Sequence, residues 1–323
     1  VANNMGKNKK ELLSLVACIA LYAVVQSLIM LDVIGPFWEL NLILICINVI
    51  LAVSLNLING FTGQFSIGHA GFMAVGAYLG AVLTVKLQLP FIVAILGGAA
   101  AAGFLGFVIG LPTLRLDGDY LAIATLGLGE IIRITILNIP YVGGASGFMG
   151  IPRFSNFTWV FFATVFTVFF IRNFINSTHG RACISIRENQ IAAEAMGIDT
   201  TKYKVMAFTI GAAFAGIAGT LFSHYFYIAH PASFTFMKSF DILTIVVLGG
   251  LGSISGSITA AILLTFVSAA LASYPEWRMI IYSLMLIILM LYRPQGLFGN
   301  KEISLKIFGR LMGGNKRGNT QGN

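Results

Sequence analysis

Chemistry needs reactive side chains at working distances, and this 323-residue sequence holds four histidines, three cysteines and 12 acidic residues. His69, His179, His224 and His230 lack the three- or four-residue separations that put two metal ligands on one helical face. Cys18, Cys46 and Cys183 are spaced for neither a disulfide framework nor a zinc site. No Gly-x-x-x-x-Gly-Lys-[Ser/Thr] loop is present to cradle ATP phosphates, and neither His-Glu-x-x-His nor Cys-x-x-Cys occurs. Gly250-Leu-Gly252 has the outline of a dinucleotide turn, but no strand precedes it. A catalytic site, a metal centre and a resident cofactor are therefore not expected. What remains is binding chemistry.

Two constellations are candidates for it. The first is a polar segment, Arg181-Ala-Cys-Ile-Ser-Ile-Arg187-Glu-Asn-Gln-Ile-Ala-Ala-Glu-Ala-Met-Gly197, inside an otherwise apolar chain. A helix over 188–197 would set Ile191, Ala195 and Ile198 on one face by their spacing. Arg187, Glu188 and Glu194 would supply polar contacts, and Ala192, Ala193 and Ala195 would let a partner backbone approach. Gly197 would end the helix in a left-handed conformation. Such a helix can seat in a groove of a partner protein. A helix lying on lipid would need a large Trp/Phe/Leu face, which is missing here.

The second constellation is a pair of glycine-rich interruptions between apolar runs, at 59–69 and 249–257. The spacing Gly-x-x-Gly-x-x-Ser recurs in them as Gly60/Gly63/Ser66 and Gly249/Gly252/Ser255. Broken helices at corresponding places of two related halves point to a solute pathway. Gly63, Gln64, Ser66, Gly68 and His69, with Gly249, Gly252 and Ser253, are the expected lining. Two plainer readings stand beside this one. Small residues also allow close helix packing, and His69 fits equally well as a buried, hydrogen-bonded histidine.

The elements that position these residues follow from composition. The chain is 57% hydrophobic and 10% charged, where soluble domains average about 25% charged. Apolar runs of about 20 residues recur, the length of a bilayer-spanning helix. The strict alternation of a transmembrane β-barrel is missing. The expected fold is an all-α, polytopic bundle with about ten spans, near 12–31, 40–59, 66–85, 90–111, 120–137, 157–173, 205–228, 240–254, 257–273 and 278–292. The last pair but one, 240–273, reads equally as two spans or a re-entrant pair.

The net charge of +8 would suggest nucleic acid in a soluble protein, but here it reflects topology. With the N-terminus inside, Lys86, Arg153, Lys238 and Arg278 fall outside, Arg133 falls within a span, and the other lysines and arginines face the cytoplasm. Both termini are thus expected to be cytoplasmic, with a short N-terminal segment 1–11, a membrane domain 12–299 carrying a cytoplasmic loop 173–204, and a basic tail 300–323. The run at 12–31 lacks a signal-peptide cleavage site and is long enough to span. Glu130 and Arg133, three apart, are expected to pair, and Asp241 to cap a helix start. A proton relay would need several acids at mid-membrane, and none is seen.

The order of several motifs carries a resemblance. Asn56-Leu-Ile-Asn-Gly60-Phe-Thr-Gly63-Gln-Phe-Ser66-Ile-Gly68-His69-Ala-Gly71-Phe72-Met-Ala-Val-Gly76-Ala-Tyr78 resembles the signature of the branched-chain amino-acid permeases of ABC transporters. So do Arg115-Leu-Asp-Gly118-Asp-Tyr120-Leu-Ala-Ile-Ala-Thr125-Leu-Gly127-Leu-Gly-Glu130, the outer-loop motif Gly143-Gly-Ala-Ser-Gly147-Phe-Met-Gly-Ile-Pro152, and Ala192-Ala-Glu-Ala-Met-Gly197. Leu248-Gly-Gly-Leu-Gly-Ser253 and Arg293-Pro294-Gln-Gly296-Leu complete the set. The likeness runs from about residue 40 to 299 and is closer to the LivM-like than to the LivH-like subunit. Val142 departs from the family, which often has threonine there.

The resemblance implies a permease subunit with no ATP-binding motif of its own. It would work beside a second, LivH-like permease, two cytoplasmic ABC ATPases that bind the ATP, and an extracytoplasmic binding protein. The cargo would be leucine, isoleucine or valine, and the site the plasma (inner) membrane of a bacterium or archaeon. A zwitterion with an apolar side chain suits a path of small neutral groups. The 188–197 helix would carry the ATPase motion. Three other classes stay open at this point: the same architecture importing an amide, urea or a sugar; a self-contained channel or ion-coupled carrier; and a membrane enzyme, which would need a titratable cluster at one membrane face.

Overall fold

The computed structural model describes residues 16, 18–113, 116, 118–272, 275–292, 296 and 297. Segments 1–11 and 300–323, Arg115 of its motif, and Arg293 and Pro294 of the closing motif lie outside them. Twelve helices appear in the described chain. They are α1 Cys18–Met30, α2 Pro36–Asn56, α3 His69–Ala81, α4 Phe91–Thr113, α5 Asp119–Leu137, α6 Phe157–Asn176, α7 Thr178–Glu188, α8 Gln190–Ala195, α9 Thr200–Phe226, α10 Phe236–Gly249, α11 Ile254–Ala270 and α12 Pro275–Tyr292. Single π-turns, Leu57–Phe61 and Val82–Lys86, extend α2 and α3.

The polytopic all-α expectation holds. Among the described residues six helices are long and apolar enough to cross a membrane: Pro36–Phe61, His69–Lys86, Phe91–Thr113, Asp119–Leu137, Phe157–Asn176 and Thr200–Phe226. Helix α10 has 14 residues and α11 has 17. At 1.5 Å per residue they reach about 21 and 25 Å, short of a hydrocarbon core of about 30 Å.

Local chemistry sets the helix starts. Pro36 follows an extended Gly35 and preorganises the first turn of α2. Asp199 Oδ1 accepts from Lys202 N at 3.0 Å and opens α9. Ser253 Oγ accepts from Gly256 N at 3.1 Å and opens α11. Asp241 does not cap α10 as expected. That helix begins at Phe236 behind Thr235, which leaves Asp241 inside its second turn.

Helices α2, α3 and α9 form the centre, and α4, α5 and α6 turn large apolar side chains such as Phe104, Ile123 and Phe162 outward. Lipid tails are as apolar as leucine, so helix association in a bilayer relies on close packing. Here it is achieved by small residues. A Cβ on Gly76 would strike the backbone of Gly216, and one on Gly219 would strike Met73 O. Thr220 Oγ1 crosses from α9 to donate to Gly76 O at 2.9 Å. Glu130 and Arg133 pair at 2.7 Å as the spacing predicts, and Glu130 Oε1 also accepts Phe236 N at 3.0 Å, at the start of α10.

At one end of the bundle, strand β1 Phe148–Met149 pairs antiparallel with β2 Ile228–Ala229. This two-residue ladder is the one departure from an all-helical chain among the described residues. Tyr78 Oη donates to Ala229 O at 2.7 Å and ties the ladder to α3. Val142 is buried in the core, so the position where the family often has threonine faces inward here. The opposite end carries α7, α8 and both glycine breaks.

Candidate functional site

At the α7–α8 end, α2 stops in its π-turn and the chain runs through 62–68 without regular structure before α3 begins at His69. Asn59 holds this first break in shape. Its Oδ1 accepts from Ser66 N and its Nδ2 donates to Ser66 O, both at 3.2 Å. Thr62 Oγ1 donates to Leu57 O at 2.9 Å, and Ile67 N donates to Thr125 Oγ1 at 3.0 Å. The second break, 250–253, separates α10 from α11 and lies against the first. A Cβ on Gly60 would collide with Gly252 N. Gly252 takes φ +84°, which L side chains adopt only with strain.

Asn56, on the last turn of α2, fastens the two breaks together. Its Oδ1 accepts from Gly252 N at 2.9 Å. Its Nδ2 donates to Ser253 O at 2.9 Å and to Ser257 Oγ at 2.8 Å.

The polar segment reaches the same place. Ser177 caps α7, which ends at Glu188. A single helix over 188–197 is not what forms. Asn189 is extended at φ −161° and ψ 108°, and its Oδ1 accepts from Ala192 N at 3.0 Å to start the six-residue α8. An asparagine is a strong N-cap and a poor helix-interior residue, so the break follows from its side chain. Gly197, at φ +82°, closes α8 as expected. Ile198 N donates to Ala193 O at 3.0 Å and Gly197 N to Glu194 O at 2.9 Å, the paired bonds of a Schellman end.

Of the expected docking residues, Ile191 (80% exposed), Ala192, Glu194, Ala195 and Gly197 stand on the surface. Ala193 is buried beneath them and Ile198 is half-buried, so Ile191 and Ile198 do not share an open face. Glu188 is exposed. Arg187 turns inward: its Nη1 donates to Gly60 O at 2.9 Å, while Nε and Nη2 both engage Glu188 Oε1. A Cβ on Gly63 would lie 3.0 Å from Arg187 Cγ, and one on Gly252 would lie 2.7 Å from Arg187 Nη1.

A second connection runs through α9. Gln64 Nε2 donates to Lys204 O at 3.1 Å, and Lys204 Nζ donates to Gln190 Oε1 at 2.7 Å. Gln190 Nε2 donates to Glu194 Oε1 at 3.1 Å, which also accepts from Thr200 Oγ1 at 2.7 Å. The Thr200 hydroxyl, then the Gln190 amide, hold the Glu194 carboxyl below the usual carboxylate range. Cys183, enclosed under α9, is pushed up to about 11 by burial.

Of the expected pathway residues, Gln64, Ser66, Gly68, His69, Gly249 and Ser253 are buried, Gly252 is half-buried and Gly63 is exposed. His69 Nε2 lies 2.8 Å from Ser54 Oγ. Gln64 Oε1, Ser66 Oγ and His69 Nδ1 are buried with no hydrogen-bond partner. Buried polar atoms are rarely left so. Half of the buried unpartnered side-chain atoms among the described residues thus belong to one six-residue stretch. Asn56, Gln190 and Lys204 were not singled out as site residues from sequence. An asparagine inside an apolar run was the available signal for Asn56. The other two depend on long-range contacts. No group of three or more His, Cys, Asp or Glu side chains able to hold a metal is found among the described residues.

Comparison with known proteins adds an independent line. The sequence model of the family described as "Branched-chain amino acid transport system / permease component" matches residues 39–290. The high-affinity branched-chain amino acid transport system permease protein LivM of Salmonella typhimurium is 36% identical over 296 residues, covering 81% of this chain and 70% of that protein. LivM of Escherichia coli gives the same figures. LivH of Escherichia coli, the permease protein LivH of that transport system, is 26% identical over 286 residues, covering 79% of this chain and 92% of its own length. No solved structure gives a significant match.

Proposed function

This chain belongs to the family of permease components of branched-chain amino acid transport systems, and we propose that it is the LivM-like membrane subunit of an ABC importer for leucine, isoleucine and valine. The observation that carries this reading is the family match across 39–290, which runs from the first turn of α2 into α12 and includes the α7–α8 segment. In this reading ten helices cross the membrane, α1 to α6 and α9 to α12, the short α10 and α11 with the bilayer thinned around them. Both termini and the α7–α8 segment are cytoplasmic, as the distribution of basic residues favours. The membrane is the plasma (inner) membrane of a bacterium or archaeon. A LivH-like permease stands beside the chain, two cytoplasmic ATPases bind the ATP, and an extracytoplasmic protein delivers the amino acid.

The residues divide into two roles. Ile191, Ala192, Glu194, Ala195 and Gly197 form the surface presented to an ATPase, with Ala193 as its buried footing and Glu188 at its rim. A short exposed helix with small side chains fits a groove. Gly63, Gln64, Ser66, Gly68 and His69 form the inner part of the solute path, and Gly249, Gly252 and Ser253 form the packed wall behind it. Polar atoms with spare hydrogen-bonding capacity can exchange with the ammonium and carboxylate of a zwitterion as the helices shift.

The test is uptake of labelled leucine into proteoliposomes holding the chain with its companion permease and ATPases, with ATP inside and binding protein outside. Uptake should require ATP and the binding protein, and unlabelled valine should compete where urea and a sugar do not. Uptake by the chain alone without ATP would make it a channel or carrier instead.

A further inference from the structure

Arg187 belongs to the polar segment by sequence, yet its side chain does not join the surface that α8 presents. Glu188 Oε1 takes two arms of the guanidinium, Nε and Nη2. That grip orients the planar fork and leaves Nη1 aimed at Gly60 O, 2.9 Å away. The Gly60 carbonyl lies in the last turn of the α2 extension, where backbone acceptors lose their intrahelical partners. Gly60 in turn touches Gly252, and Asn56, one turn earlier, holds Gly252, Ser253 and Ser257. A rigid displacement of α7 therefore reaches the end of α2 and the first turn of α11 through one side chain and one amide.

We propose that Arg187 is a positioning residue that transmits movement of the α7–α8 segment to both helix breaks, acting inside this chain and not against the ATPase. The glycines at 63 and 252 leave the space the side chain occupies. A lysine in the same place could donate to Gly60 O, but it lacks the fork that Glu188 orients. Intermediacy in space is not yet coupling, so the test must read coupling directly.

The proposal deepens the importer reading, and its test has one arm that needs no transport. Backbone hydrogen exchange is compared for the purified full chain with Arg187 and with Arg187→Met. Amides in 59–64 and 250–257 should exchange at least tenfold faster in the variant, with α4 unchanged. Glu188→Gln, which alters only an exposed side chain, should give a smaller acceleration at the same amides. Acceleration at one break alone, or at neither, overturns the proposal.

The second arm uses the assembled transporter in liposomes and measures leucine moved per ATP hydrolysed. Arg187→Met should lower that ratio at least fivefold, and Arg187→Lys should recover part of it. Uptake and hydrolysis falling by the same factor, with the complex intact by gel filtration, would place Arg187 in docking and overturn the transmission role. If the wild-type complex shows no ATP-driven uptake, the importer reading fails and the exchange arm alone decides whether Arg187 links the breaks.

Discussion

The two helix breaks share the spacing Gly-x-x-Gly-x-x-Ser, but they treat their polar atoms in opposite ways. At 250–257 the polar groups are paired: Gly252 N, Ser253 O and Ser257 Oγ meet Asn56, and Ser253 Oγ caps α11. At 62–69, three buried atoms on Gln64, Ser66 and His69 have no partner. An unmet buried polar atom costs about 1–3 kcal/mol. Three such atoms within six residues are groups that hydrogen bonds to a solute or water would satisfy. The second break thus works as a fastening, and the first as the part with capacity to spare. Local departures from good packing practice concentrate where function demands them.

Breaking the fastening should have the largest effect. Asn56→Leu removes three hydrogen bonds at a fully buried position and strands Gly252 N. We expect a loss of about 2–4 kcal/mol, read as a lower Tm in detergent by fluorescence-detected gel filtration. An unchanged Tm would mean that the second break is not held by Asn56. Gly252→Ala comes next. It forces φ +84° on an alanine and drives its Cβ toward Arg187 Nη1, for about 1–3 kcal/mol. The same change at Gly63 forces φ +74° and sets its Cβ 3.0 Å from Arg187 Cγ, so it should cost a similar amount.

The spare capacity predicts the reverse pattern. Ser66→Ala deletes a buried, unpartnered hydroxyl, so Tm should hold or rise by the equivalent of up to about 1 kcal/mol. Leucine uptake should nevertheless fall severalfold. Ser257→Ala should lower Tm by the equivalent of about 1 kcal/mol and reduce uptake only as far as folded protein is lost. If both serines lower Tm alike, the contrast between the breaks disappears. Cysteines put at 66 and 253 sharpen it further. The cysteine at 66 should react with a water-soluble maleimide during turnover, and the one at 253 should not. The native Cys183 gives little background, because its thiol is enclosed and burial pushes it up to about 11, which keeps it protonated at pH 7.

How much of this was legible beforehand follows from how far each contact reaches. The apolar runs, both breaks, the Glu130–Arg133 pair and the left-handed end at Gly197 depend on residues within a few positions of each other, and periodicity reads them. The stop at Asn189 was local too. It was missed because helix spacing was extended across a residue whose side chain competes with the helix. The fastening by Asn56 joins residues about two hundred positions apart, and Arg187 reaches Gly60 from α7. No pattern along the chain specifies which carbonyl an arginine will find. The repeated glycine spacing announced two equivalent sites, whereas the hydrogen bonds that separate them come from neighbours the spacing does not contain.

The smallest effect on stability belongs to Glu194, at the far end of the connection that runs from Gln64 through Lys204 and Gln190. Donors on Thr200 and Gln190 depress its carboxyl. A depressed carboxyl contributes to the folded state above its unfolded value of about 4.3 and loses that contribution as pH falls through the lower folded value. The α8–α9 junction should therefore keep the same amide protection factors from about pH 5 to 8 and lose protection only below about pH 4. Glu194→Gln keeps an oxygen for Thr200 and Gln190 but removes the charge, so at pH 7 it should show the small fall in Tm that protonation causes in the parent chain at low pH. Because Glu194 is exposed, its charge is available to an ATPase, and Glu194→Lys should abolish uptake in a chain that still inserts. Normal uptake by Glu194→Lys would remove α8 from the docking surface and leave this end of the molecule only its internal connections to the breaks, through Arg187 and through Lys204.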